Sequence, residues 1–217
     1  MRSPLWITGY DSRFEEIAQK HFFPSFEKCY MQHQFDLVVH KIEAPFGSYG
    51  QEQYNASYAK EMDFVLDLMQ RNRDRIVIWS DIDLHFYRSP MDHIKETISR
   101  YDLSCQMDSP DVHCTGFMYF WCAQKIINFF YLWRALNQKG GWQSAQDSFN
   151  EAIKQSPNLV VQKLPKQFYT HGLDTSEVWD GKDITKLPKR PKDCILHHGN
   201  WTIGLENKMT LMDTIAA

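Results

Sequence analysis

No stretch of the chain approaches the roughly 18 consecutive apolar residues that mark a membrane-crossing helix. The first ten residues also lack the basic-then-apolar layout of a secretory leader. An excess of basic charge is missing too. The 24 Lys and Arg face 27 Asp and Glu, a formal net charge of -3, whereas a general nucleic-acid binder carries a basic face to neutralise phosphates. Cysteine is sparse and unpatterned: Cys29, Cys105, Cys114, Cys122 and Cys194 are odd in number and form no Cys-x-x-Cys pair, which argues against a disulfide framework and against a zinc site. These deficits predict a soluble, cytoplasmic protein with free thiols, no membrane segment and no nucleic-acid partner. Asn55 and Asn200 open Asn-x-Ser/Thr triplets, which would accept glycans only on a secreted chain.

What is present suits one compact domain over residues 1–217. The chain is 43% hydrophobic and 14% aromatic, with seven Trp and ten Tyr, and a domain of this size removes about 70% of its unfolded surface from water. The aromatics fit either a dense core or a site that stacks flat rings and sugar faces. The ending MDTIAA reads as an arbitrary stop, compatible with a domain cut from a longer protein.

Strand and helix patterns alternate. Leu5 to Thr8 reads as a short buried strand and the stretch to about Tyr30 has helical spacing. Phe35 to Ile42 is a second strand, followed by a Gly- and aromatic-rich loop around Pro45 to Tyr54. Tyr58, Met62, Val65, Leu66 and Met69 then recur at helical spacing between Ala56 and Arg71. RIVIW, Arg75 to Trp79, is an apolar β-branched run of the kind buried on both sheet faces. Further on, a helix near Met91 to Arg100, strands at Asp102 to Gln106 and Cys114 to Cys122, helices at Ile126 to Gln138 and Ser144 to Gln155, and a possible strand at Val160 to Leu164 follow in turn. A Pro- and Lys-rich stretch, Lys186 to Lys192, precedes CILHHGNW and a helix-like tail. The alternation predicts an α/β domain with a Rossmann-like, mostly parallel central sheet flanked by helices, whose ligands bind beyond the carboxyl ends of the strands.

SDID sits at such an end. Asp81 and Asp83 are two apart, so on a continuing strand their carboxylates point to one side, and two close like charges call for a cation. Hard divalent ions such as Mg²⁺ and Mn²⁺ take carboxylate, water and phosphate oxygens, so a diphosphate would complete the shell. Two solvated loop acids would give the same letters.

WSDIDLHF, followed in order by CTGFMYF, AQDSFN and HHGNWTIGLENK, resembles the nucleotide-diphospho-sugar transferases of the GT-A fold, and the likeness spans most of the chain. It is also similar to the small glycosyltransferase domain encoded by large algal viruses. The resemblance implies that Asp83 binds the metal directly, that Asp81 bridges the metal and the donor's ribose, and that His198 is the third protein ligand, in a His-x-Asn-Trp pattern. His197 is its rival. An imidazole beside carboxylates favours Mn²⁺, with Mg²⁺ the alternative. Gly204 and Lys208 would meet the diphosphate, the glycine by close backbone approach and the lysine by countering charge on the departing oxygen; a solvated helix lysine is the plain alternative. Thr8, Gly9 and Tyr10 match the place that holds the nucleotide base, with Tyr10 either stacking on it or packing in the core. Lys60 resembles a basic residue sent from the second helix toward the donor. Thr115 and Gly116 would line the sugar pocket by backbone contact, with Cys114 and Cys122 simply packing beside them.

AQDSFN departs from the family pattern, since Ala145 stands where an Asp is common. Gln146 and Asp147 are left as the polar catalytic candidates there, Asp147 either holding a sugar hydroxyl or serving as an N-terminal helix acid. The whole implies transfer of a sugar from a UDP-sugar to a hydroxyl of a carbohydrate or glycoprotein glycan acceptor, with retention, glucose and rhamnose both being open as the sugar. Two other readings stand beside it. A haloacid dehalogenase type phosphatase also places Asp-x-Asp after a buried strand, but His85 stands where it usually has Thr or Val. A non-catalytic nucleotide-sugar binding module would share the same residues.

Overall fold

A computed structural model describes residues 2–43, 52–174, 178–187, 189–202 and 204–216. The chain opens with strand β1 (Leu5–Asp11), then short helices α1 (Glu15–Ile17) and α2 (Phe23–Lys28) joined by a π-helical turn, Ala18–Phe22. Pro24 has no N–H to give the carbonyl four residues back. The helix widens just before it, with the Phe23 N–H reaching the Ala18 carbonyl. Strand β2 (Asp36–Ile42), helix α3 (Glu52–Arg71), strands β3 (Ile76–Ser80) and β4 (Leu84–Phe86), and helix α4 (Met91–Thr97) follow. Next come β5 (Leu103–Ser109), β6 (Val112–Trp121), α5 (Gln124–Lys139) and α6 (Ala145–Lys154). Strands β7 (Val161–Lys163), β8 (Phe168–Thr170) and β9 (Leu196–His198) and helix α7 (Leu205–Ala216) complete the order. The loop expected at Pro45 to Tyr54 lies largely outside the described residues, and α3 starts at Glu52, inside it.

The main sheet runs β2-β1-β3-β6-β5-β7. Only β6 opposes its neighbours; the other five strands point one way, so the sheet is mostly parallel as expected. Every residue of β3 is buried, as a central strand covered on both faces requires. The period-2 alternation of strands sorts side chains between two cores. Leu5, Ile7, Val77 and Trp79 pack with α3, α5 and α6, while Trp6 and Ile78 face Phe22, Phe26 and Phe86 on the other side. Trp6 is fully buried with four aromatic rings edge-on around it, and its indole N–H is satisfied by Ser80 Oγ at 2.8 Å. No helix among the described residues is long and apolar enough to cross a membrane.

A second sheet, β4-β9-β8, is what assembles the site. β4 and β9 are antiparallel, with Leu84 opposite His198 and His85 opposite His197. This pairing carries a segment some 115 residues downstream back to the end of β3.

Candidate active site

β3 ends at Ser80, so Asp81 and Asp83 lie in the link to β4, at the strand end as expected, and do not continue the strand. Backbone hydrogen bonds fix that link on both sides. The Asp81 N–H donates to the Gly116 carbonyl at 2.9 Å, and the Gly199 N–H donates to the Asp83 carbonyl at 2.8 Å. Buried Ile82 anchors the link between the two acids in the second core.

The two carboxylates and one nitrogen of His198 all lie within 4.8 Å of one another. His198 Nε2 is 3.3 Å from Asp81 Oδ2 and 3.3 Å from Asp83 Oδ1, and Lys208 Nζ is 2.6 Å from Asp83 Oδ2. Asp83 and His198 are buried, whereas the Asp81 side chain is 40% exposed. The cluster thus has a closed back and an open mouth at Asp81. His197 points the other way, as strand alternation demands, with its ring edge-on to Tyr169. Of the two histidines it is His198, the one preferred from the sequence, that joins the two carboxylates.

Burial alone would push both Asp83 and His198 toward their neutral forms. The attraction of Lys208 and His198 outweighs it at Asp83, whose carboxyl is held far below the usual carboxylate range. At His198 the charge of Asp83 does the same in reverse and holds the imidazole well above its usual value. Two carboxylates and an imidazole converging on one point form a donor set suited to a divalent ion, and their present counter-charges are His198 and Lys208.

Gly116 was expected to line the sugar pocket. Its position makes room for the histidine: a Cβ there would stand 2.0 Å from His198 Cε1. Thr115 beside it is buried, and Cys114 Sγ lies 3.6 Å from His198 Nδ1. Gly204 takes a φ of 89°, which favours glycine, and opens α7; the Lys208 N–H closes the first turn onto its carbonyl at 3.0 Å. Lys208 therefore reaches the cluster from the first turn of a helix.

A second polar group adjoins the first. Asp108, near the end of β5, accepts from Gln146 Nε2 at 3.0 Å, from Asn200 Nδ2 at 2.7 Å and from Trp201 Nε1 at 2.7 Å. Trp201 is held in left-handed backbone, φ 59°, over Gly172, where a Cβ would stand 2.2 Å from Trp201 Nε1. Asp108 was not foreseen from the sequence. Of the two roles expected for Asp147, the structure shows that of an N-terminal helix acid. It closes a capping box: Ser144 Oγ accepts from the Asp147 N–H at 3.2 Å, and Asp147 Oδ2 accepts from the Ser144 N–H at 3.0 Å. Asp147→Ala is expected to lower stability by about 0.5–1 kcal/mol and to leave nucleotide binding and turnover unchanged, as thermal unfolding and steady-state kinetics would report.

Tyr10 is 3% exposed and packs in the second core, which leaves no ring face to stack on a base. Thr8 is buried, and its Oγ1 has no hydrogen-bond partner among the described residues. Gly9 faces α3, but it meets Glu61 and not Lys60: a Cβ on Gly9 would stand 2.4 Å from Glu61 Oε1, while Lys60 is exposed. Glu61 is 8% exposed, and burial first, then the charge of Asp81, push its carboxyl up to about 8. This acid next to the metal cluster was likewise missed.

The model of the nucleotide-diphospho-sugar transferase family matches residues 24–212. No curated protein matches the chain in sequence. Among solved structures, a glycosyltransferase involved in glycosylation of the major capsid of PBCV-1 is similar with a TM-score of 0.68, at 11% identity over 98% of this chain and 100% of the other. The galactosyltransferase LgtC is similar with a TM-score of 0.57, at 10% identity over 98% of this chain and 96% of its own. Mouse xyloside xylosyltransferase 1 gives 0.55, at 11% identity over 92% of this chain and 98% of its own. The fold is thus of the GT-A glycosyltransferase type, and with the family match covering most of its length the chain belongs to the nucleotide-diphospho-sugar transferases.

Proposed function

We propose that the protein transfers a sugar from a UDP-sugar to a hydroxyl of a carbohydrate or glycan acceptor, with Mn²⁺ as cofactor and retention of anomeric configuration. The observation that carries this is the convergence of Asp81, Asp83 and His198 with Lys208 on their flank. Asp81, Asp83 and His198 would hold the ion, which when bound would offset charge on the donor diphosphate. The imidazole in the set favours Mn²⁺ over Mg²⁺.

Lys208 supplies a mobile positive charge. In the free protein it is paired with Asp83; released from that pair, it would meet the phosphate oxygen that gains charge as the sugar bond breaks. Gly204, with open space around its Cα, permits close approach of the diphosphate. Gln146, its amide nitrogen held by Asp108, presents its oxygen as an acceptor for a sugar hydroxyl. Retention is favoured because Asp108 is occupied by three donors and Asp147 by a helix cap, so neither is free as the base that inversion needs. The acceptor oxygen then bonds to the anomeric carbon as the sugar-phosphate bond breaks, and its proton passes to the departing phosphate oxygen.

The test is thermal unfolding with UDP, GDP or ADP, each with and without Mn²⁺, followed by turnover of UDP-glucose and UDP-rhamnose. A shift with UDP that requires Mn²⁺, and release of UDP from one donor, is the expected result. A shift without turnover of any donor would favour a binding module, and no shift with any nucleotide would remove the basis for the proposal.

A further inference from the structure

We propose that Gln106 is a positioning residue that decides which nitrogen of His198 faces the metal position, an inference that rests on the reading of Asp81, Asp83 and His198 as the metal ligands. Gln106 lies in β5 and is fully buried. Its Nε2 donates to the backbone carbonyls of Phe168 and Tyr169 in β8, both at 3.1 Å. Carbonyl oxygens only accept, so the amide nitrogen must face β8 and the amide oxygen must face away from it. That oxygen is 3.1 Å from His198 Nδ1.

An amide oxygen also only accepts, so Nδ1 must carry a hydrogen. The remaining nitrogen, Nε2, is the one 3.3 Å from both carboxylates; its hydrogen faces them in the metal-free protein, and once that proton leaves its lone pair is the one open to a cation. The opposite tautomer would set a lone pair against the Gln106 oxygen and an N–H against the ion. Gly116 lies against the ring with no room for even a methyl group, and a half-turn of the ring would exchange the Nδ1–H facing the Gln106 oxygen for a carbon. β8 thus orients an amide, the amide orients an imidazole, and the imidazole completes the cluster. Partners of this kind alter metal affinity by about 10–100-fold when removed.

The experiment measures Mn²⁺ binding by titration calorimetry to the parent protein, Gln106→Met and Gln106→Glu, with thermal unfolding in chelator as the check on folding. Gln106→Met keeps the shape and removes the acceptor, and it is expected to weaken Mn²⁺ binding about 10–100-fold. Gln106→Glu keeps an acceptor for the Nδ1 hydrogen but cannot donate to both β8 carbonyls, and it is expected to retain Mn²⁺. Parent-like binding by Gln106→Met, or equal loss in both variants, would overturn the proposal, the second outcome meaning that Gln106 only ties down β8. Should Gln106→Met not fold, the nitrogen NMR spectrum of the His198 ring in the Mg²⁺-loaded parent decides. A protonated Nδ1 with a metal-bound Nε2 is expected, and the reverse assignment overturns it. If the parent binds neither ion, the metal reading itself fails and this inference falls with it.

Discussion

Asp83→Asn is expected to abolish the Mn²⁺-dependent stabilisation by UDP and to unfold well below the parent protein even without ligand. Asp83 is 3% exposed and faces both His198 and Lys208. Asparagine keeps its shape and removes the charge that holds them. Removing one partner of a buried ion pair costs about 3–5 kcal/mol. Lys208 retains some access to water and His198 can shed its proton, which places the loss near the lower end, a fall of roughly 6–12 °C in midpoint for a chain of this length. The loss should depend on pH. A carboxyl whose folded pKa is depressed contributes stability above its unfolded value, here 3.8, and loses it as pH falls through the folded value. The gap between parent and variant is therefore full at neutral pH and narrows below about pH 4. The ligand effect is separate: UDP with Mn²⁺ at 100 times the dissociation constant should add about 2.7 kcal/mol to the parent and nothing to the variant. A variant that kept the Mn²⁺-dependent gain would take Asp83 out of the metal site.

The residues behave differently in how far their roles can be read from the sequence. β3 and the acids after it are legible because a fully buried strand has a distinctive composition and because ligands gather where such strands end. His198 was preferred to His197 only for its His-x-Asn-Trp pattern, since both are histidines on one short strand; the register of β9 against β4 shows which of them faces the carboxylates. Asp147 was legible as a possible N-terminal helix acid, and Ser144 three residues before it, the spacing of a capping box, strengthens that reading. β5 carried a usable signal that went unread. Leu103 and Cys105 face one core, and Ser104, Gln106 and Asp108 alternate with them. A polar face on an otherwise buried strand needs partners, and in this protein the partners include the histidine of the acidic cluster and the loop that follows it. What no local pattern could supply is the partner's identity, because His198 and Asn200 lie 92 residues further along the chain. Lys60 and Glu61 show the same limit on a helix: adjacent residues on α3 point about 100° apart, and only the packing of α3 on β1 shows that Glu61 faces Gly9.

Glu61→Gln is expected to stabilise the metal-free protein, by an amount that grows with pH. The buried carboxyl has its pKa at about 8 in the fold and 4.5 when unconstrained. Between those values the folded protein holds a proton that the unfolded chain has released, so stability falls as pH rises across that window. Below about pH 4.5 both states are protonated and the two proteins should match; above about pH 8 both are ionised and the difference levels off. Each pH unit within the window is worth at most about 1.4 kcal/mol, so a gain of about 2–3 kcal/mol near pH 7, roughly 4–12 °C in midpoint, is a reasonable expectation. Glutamine keeps the volume against Gly9 and never ionises. A pH-independent difference, or a less stable variant, would show that Glu61 is not the strained acid its burial implies. Mn²⁺ supplies the link back to the site. Burial is the first cause of the raised pKa and the charge of Asp81 the second. A cation held at Asp81 offsets the second cause and eases ionisation of Glu61. The advantage of Glu61→Gln should therefore shrink when Mn²⁺ is added, which ties this acid energetically to the metal cluster as well as by position.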